Sequence, residues 1–107
     1  MIARIWHGRV PAEKADAYRE YLLRTGVSDY QATQGNLGVY VMCRVEDETA
    51  HFEILTFWES VDSIKAFAGE DYEVARYYEQ DDEYLLEREA NVRHLDVVYH
   101  SVPRPGY

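Results

Sequence analysis

Two imidazoles in strand-like segments, His7 and His94, are the groups of this chain best suited to taking up a proton near neutral pH. His7 shares a period-two face with Ala3 and Ile5, so its alternative role is simple packing. An anion left by such a proton transfer could be held by the Arg44 guanidinium or by the Trp58 indole N–H, which needs a hydrogen-bond partner when buried. Arg44 beside Glu46 and Glu53 could equally be a cross-strand ion pair, and Trp58 a core residue. Trp58 also opens the densest aromatic stretch, TFWESVDSIKAFAGEDYEVARYY from Thr56 to Tyr78. That much aromatic surface in a small acidic chain predicts the wall of a pocket for a small apolar or aromatic molecule. His7 and Trp58 are the candidate catalytic pair; Tyr40, Arg44, Phe67, Tyr77 and His94 are the candidate substrate contacts. His51 and His100 read as surface residues. The four histidines form no HxH or HxxxH pair, so no metal site is expected.

The elements that must position these groups follow from periodicity. Ile2 to Val10 is β-rich, and Pro11 suits the first position of a helix, where its missing N–H costs nothing. Ala15, Tyr18, Leu22 and Thr25 make one apolar helical stripe that Gly26 can stop, and Ser28 with Gln31 resembles a capping box for a short second helix ending near Gly35. Leu37 to Glu46 alternates, Glu46 to Thr49 supplies a turn, and His51 to Glu59 sets Phe52, Ile54, Thr56 and Trp58 against Glu53, Leu55 and Phe57. Ser60 caps a helix whose inner stripe is Val61, Ile64 and Phe67, and Gly69 ends it. Glu70 to Glu89 mixes an acidic run with tyrosines and reads as a short helix plus an ordered connection, its charges forming a solvated face. Asn91 to Ser101 reads as a last strand.

The order β, α, β, β, α, β defines an α+β, ferredoxin-like βαββαβ fold with an antiparallel sheet, covering 1–101, with 102–107 as a short tail. Helices can cover only one face of such a sheet. Bulky residues on both faces, including Tyr40, Met42, Leu55, Phe57, Val97 and Tyr99, therefore predict a homodimer through the sheet face.

With 107 residues, 47% of them hydrophobic, the chain is one domain able to fold without disulfides. A net charge of −9 argues against nucleic acid and acidic membrane surfaces as partners. No apolar run reaches membrane-spanning length and the N-terminus lacks a signal-peptide pattern, which predicts a cytoplasmic location. Cys43, the single cysteine, is expected to be a small buried thiol.

TFWES at Thr56 to Ser60, FAG at Phe67 to Gly69, the ARYY turn, WHG at Trp6 to Gly8 and DDEYLLE at Asp81 to Glu87 together resemble the antibiotic-biosynthesis monooxygenase family. The resemblance implies a dimeric α/β barrel. It also implies one of the family's activities: cofactor-independent oxygenation of a small phenol-like or quinol-like substrate, heme degradation, or ligand binding without catalysis, as in a stress-related module. For the first, the resemblance implies no cofactor, with His7 as base and His94 as the next choice; isomerisation or cyclisation would use the same base. Where heme degraders place Asn, Trp and His, this chain has His7, Phe67 and Tyr77. Where the quinone-forming oxygenases place Asn, Trp and Tyr, it has Ile54, Trp58 and Ile64.

Overall fold

The structure is a computed structural model that describes residues 1–101. Strand β1 (Ile2–Pro11) leads through a 3-10 turn to helices α1 (Ala15–Arg24) and α2 (Gly26–Ala32). A hairpin of β2 (Asn36–Glu46) and β3 (Thr49–Trp58) precedes α3 (Val61–Ala68), and a long irregular segment then reaches β4 (Arg93–Asp96). The sheet order is β2-β3-β1-β4, with every neighbouring pair antiparallel. The predicted α+β, ferredoxin-like architecture is therefore present.

Period-two alternation decides what each strand contributes. On β3, Ala50, Phe52, Ile54, Thr56 and Trp58 are buried beneath the helices. In register with them on β1 stand Val10, Gly8, Trp6, Arg4 and Ile2. Tyr18, Tyr21 and Leu22 of α1, Tyr30 of α2, and Ile64 and Phe67 of α3 close the core from above. Each large side chain taken fully out of water there contributes about 2–3 kcal/mol. Gly8 is required by packing: a methyl group at that position would overlap the Trp6 indole, which lies across it toward Leu85. Helix α3 has the predicted stop and a fuller start. Ser60 and Ser63 exchange reciprocal capping hydrogen bonds, each at 3.2 Å, and Gly69 leaves the helix at φ 90°, which favours glycine.

Several local expectations are corrected. Pro11 closes β1 rather than opening a helix, and the 3-10 turn follows it. The first helix does break, but at Thr25, whose hydroxyl and amide both donate to the Tyr21 carbonyl. Gly26 therefore starts α2, and Ser28 lies inside the helix instead of capping it. The segment from Glu70 onward contains a 3-10 turn at Asp81–Glu83 and a lone Val74–Asn91 bridge in place of a short helix. Strand β4 stops at Asp96, leaving Val98 and Tyr99 almost fully exposed. Cys43 is exposed because β2 is an edge strand whose far end outruns the helices. The predicted tail, 102–107, lies outside the described residues.

Candidate functional site

The same alternation sorts the candidate residues onto two faces. His7, between Trp6 and Gly8 on β1, points to the face without helices, and so do Tyr40 and Arg44 of β2. Trp58 and Phe67 belong to the helix-covered core, His94 pairs with Arg4 on that same side, and Tyr77 packs edge-on to Trp6 at 6.3 Å. His7 and Trp58 are thus separated by the sheet and cannot act together within one protomer.

On the open face, His7 Nδ1 lies 2.5 Å from Glu89 Oε2 and its Nε2 lies 3.3 Å from His51 Nδ1. His51 is thereby drawn into a network rather than left as a free surface residue. The two histidines stack and line a groove of about 340 Å³ with Met42, Cys43, Arg44 and Glu53. Arg44 is largely exposed beside Glu46 at 3.5 Å, an ion pair along β2 worth under about 1 kcal/mol. Tyr40 stands half-exposed, edge-on to Phe57.

The helix-covered side holds the unusual chemistry. Trp58 is fully buried, but its indole N–H donates to Thr56 Oγ1 at 2.8 Å, so it is not free to hold an anion. Arg4 is 1% exposed, and its Nε and Nη2 have no hydrogen-bond partner among the described residues. Burial pushes its pKa down, yet a guanidinium keeps its proton at neutral pH. Tyr30, which also offers it a hydrogen bond, Tyr78 and Arg76 are the groups that act on it electrostatically, and none of them is a carboxylate. Its guanidinium carbon lies 5.4 Å from the Phe67 ring centroid; that of Arg76 lies 4.9 Å from the same ring. Arg76 differs in being satisfied: it reaches Asp29 Oδ2 at 3.3 Å and donates to the Phe67 carbonyl at 2.9 Å.

His94, across the strand pair from Arg4, carries a buried Nε2 without a partner among the described residues. Burial, reinforced by the Arg4 charge, pushes its pKa down, so at neutral pH it is an uncharged imidazole able to accept a proton. It stands edge-on to Tyr72 at 5.1 Å and lines a groove of about 190 Å³ with Ile2, Val61, Ile64, Tyr72, Leu95 and Asp96. A second gap, between Trp6, Tyr30, Ile54, Arg76 and Tyr78, has a volume of only about 20 Å³, room for about one water. Tyr78 closes it, its hydroxyl donating to Asp29 Oδ2 at 2.5 Å, and burial followed by that bond pushes its pKa up.

Two functional candidates escape a reading based on residue type. Arg4 stands in phase with Trp6 and Val10, and that phase is the signal that marks it as inward. Asp81 belongs to the acidic run expected to be solvated, yet it is 3% exposed and accepts hydrogen bonds from the Tyr18 hydroxyl and the Tyr78 amide. Among the described residues, no group of three or more His, Cys, Asp and Glu side chains is placed to hold a metal ion, and no helix is long and apolar enough to cross a membrane.

Comparison with known proteins adds a family to this geometry. Residues 1–75 match the family model described as antibiotic biosynthesis monooxygenase. No curated protein matches the chain. Among solved structures, the chain is similar to a MhuD mutant with two manganese protoporphyrin IX molecules bound per active site, at 18% identity and a TM-score of 0.64, covering 96% of this chain and 100% of that one. It is also similar to a putative antibiotic biosynthesis monooxygenase from Bacillus cereus, at 12% identity and a TM-score of 0.63, covering 94% of this chain and 97% of that one. These likenesses carry the fold. The residues here do not fit a porphyrin: Tyr77, at the position considered for an axial ligand, donates its hydroxyl to the Glu89 carbonyl at 2.5 Å, and burial pushes its pKa up, away from the phenolate that iron would need. Trp6, Tyr30, Trp58 and Phe67 pack together on the helix-covered side, and the gap beside Trp6 and Tyr30 has a volume of only about 20 Å³.

Proposed function

The chain belongs to the antibiotic biosynthesis monooxygenase family, and from that premise we propose that it oxygenates a small phenol-like substrate without a cofactor, on the helix-covered side of the sheet. The observation that carries this reading is His94, an uncharged imidazole whose Nε2 has no partner among the described residues, in a groove of mixed polarity across the strand pair from the Arg4 cation. A phenol whose ring lies against Tyr72 and Ile64 would give its O–H proton to His94 Nε2. The resulting phenolate is electron-rich enough to reduce dioxygen directly. In the balanced reaction, one oxygen atom becomes a new quinone carbonyl at a ring carbon and the other leaves as water. The ring supplies both hydrogens and all the electrons, so no external reductant enters. Tyr72 and Ile64 serve as walls in this reading, with Trp58, Phe67 and Tyr77 packed outside the groove, while His7, Tyr40 and Arg44 belong to the opposite face. The proposal includes a second copy of the chain on that opposite face, where Tyr40, Met42 and Leu95 stand exposed.

The test is dioxygen uptake with 1-naphthol and a panel of hydroquinones. Naphthoquinone should form in equal amount to the dioxygen consumed, with no peroxide. The pH profile of kcat/KM should rise through a pKa below 6.5 and then stay flat, because only the neutral imidazole acts as base. His94→Asn should lower the rate by about 10²-fold or more and abolish that rise. Uptake unchanged in His94→Asn rejects the base assignment. Binding without uptake in the wild type favours a ligand-binding module over an enzyme.

A further inference from the structure

A buried cation without a counter-charge is the largest electrostatic anomaly in the molecule, and it lies beside the proposed substrate groove. Removing a guanidinium from water is tolerated when carboxylates or several acceptors compensate it. Arg76 and Arg88 stay exposed and still have partners, Asp29 and the Phe67 carbonyl for the first and Asp82 for the second. Arg4 is buried and has no carboxylate: Tyr30 offers it a hydrogen bond, but its Nε and Nη2 are unpartnered among the described residues, and the charged group that acts on it is another cation, Arg76. The Trp6 indole N–H, on the neighbouring inward position of the same strand, is also buried, with the Tyr77 oxygen beside it. The two Arg4 nitrogens with no acceptor among the described residues describe a receptor that lacks its guest.

We infer that the ligand of this pocket binds as an anion, a planar aromatic carboxylate or phenolate, with its charged oxygens on Arg4 Nε and Nη2. The geometry suits such a guest. The Nε and Nη2 edge of a guanidinium presents parallel N–H bonds that match the two oxygens of a carboxylate. Tyr72, in the His94 groove, offers a flat surface for a ring. The donors are unpaired although the chain as a whole carries a net charge of −9, so the counter-charge has been left out of this one place and not out of the composition. A ligand that brings it would neutralise Arg4 and remove the acid-strengthening field on His94, raising the basicity of that imidazole when substrate is bound. This inference rests on the reading that the helix-covered side is the ligand site.

The experiment uses benzoate and benzamide, which share a ring and differ in charge, with melting temperature and calorimetric affinity measured on the full chain at constant ionic strength. Benzoate should bind about tenfold or more tightly than benzamide, the worth of a charge-assisted hydrogen bond. In Arg4→Met, which removes an unpaired buried charge while keeping its bulk, the ligand-free protein should melt at a higher temperature and the preference for benzoate should vanish. Arg4→Lys should keep part of that preference. Equal binding of the two probes by the wild type overturns the charge assignment and leaves the aromatic pocket standing. Binding of neither overturns the pocket reading and the charge assignment together. If Arg4→Met melts lower and still prefers benzoate, Arg4 is a packing residue and the inference is wrong.

Discussion

Thr56 shows how a single hydroxyl commits a neighbour that the sequence offers for chemistry. Its oxygen accepts the Trp58 indole N–H at 2.8 Å and donates to the Arg4 carbonyl at 3.3 Å, both bonds being buried. Thr56→Val preserves shape and strand propensity but strands the Trp58 donor without water or acceptor. We expect a loss of about 1–3 kcal/mol in urea unfolding with an unchanged m-value. A loss near zero would show that Trp58 finds another acceptor and is available to a ligand after all. At this scale, residue type is legible and partnership is not. Trp58 reads as an aromatic with a donor to spend, and only the fold shows it spent on a residue two positions away. His7 reads as a base, and the fold turns it to the open face against Glu89 and His51. Arg4 hides behind the rule that charges face solvent, although the alternation that buries Trp6 and Val10 buries it as well.

Elements defined by periodicity and punctuation are legible for a simple reason: β1, β2 and β3 find backbone partners in one another through plain alternation, α3 finds them within itself, and Ser60 and Gly69 mark local backbone needs. The segment from Glu70 to Glu89 has no such self-sufficiency. Its like charges at helical spacing oppose a helix, and its tyrosines are each claimed by a different partner: Tyr72 by His94, Tyr77 by Trp6 and Glu89, Tyr78 by Asp29. Asp29 on α2 is the main tether of the middle of this segment, since Arg76 and Tyr78 both end on the same carboxylate oxygen. Asp29→Ala should therefore loosen the Arg76 to Tyr78 stretch without unfolding the sheet. The expected result is trypsin cleavage after Arg76 about tenfold or more faster under native conditions, together with a small change in melting temperature. Unchanged cleavage would assign the hold instead to Asp81, the Val74–Asn91 bridge and the Tyr77 bond. The same stretch closes the small gap beside Trp6 and Tyr30, so how easily it opens bears on how a ligand enters.

For the molecule as a whole, one sheet face is sealed by helices and the other is not, and the open face divides along its length. One end carries Tyr40, Phe57 and Leu37 around a groove of about 810 Å³; the other carries His7, Arg44, His51 and Glu53. A second copy pressing its own open face against the apolar end would bury surface that a lone protomer leaves wet, which is the proposed homodimer. Net charge opposes this association, because two copies at −9 repel each other. Salt therefore discriminates between the forces. If apolar contact drives pairing, raising salt screens the repulsion and tightens the dimer in sedimentation equilibrium. If ion pairs such as that of Arg44 drove it, the same change would loosen the dimer. Tyr40→Asp combined with Met42→Lys, at half-exposed positions remote from the helix-covered core, should yield a monomer with unchanged far-ultraviolet dichroism. Retention of the dimer in that double variant would place the contact elsewhere on the surface, and a wild-type monomer at every salt concentration would leave the open face without a partner of its own kind.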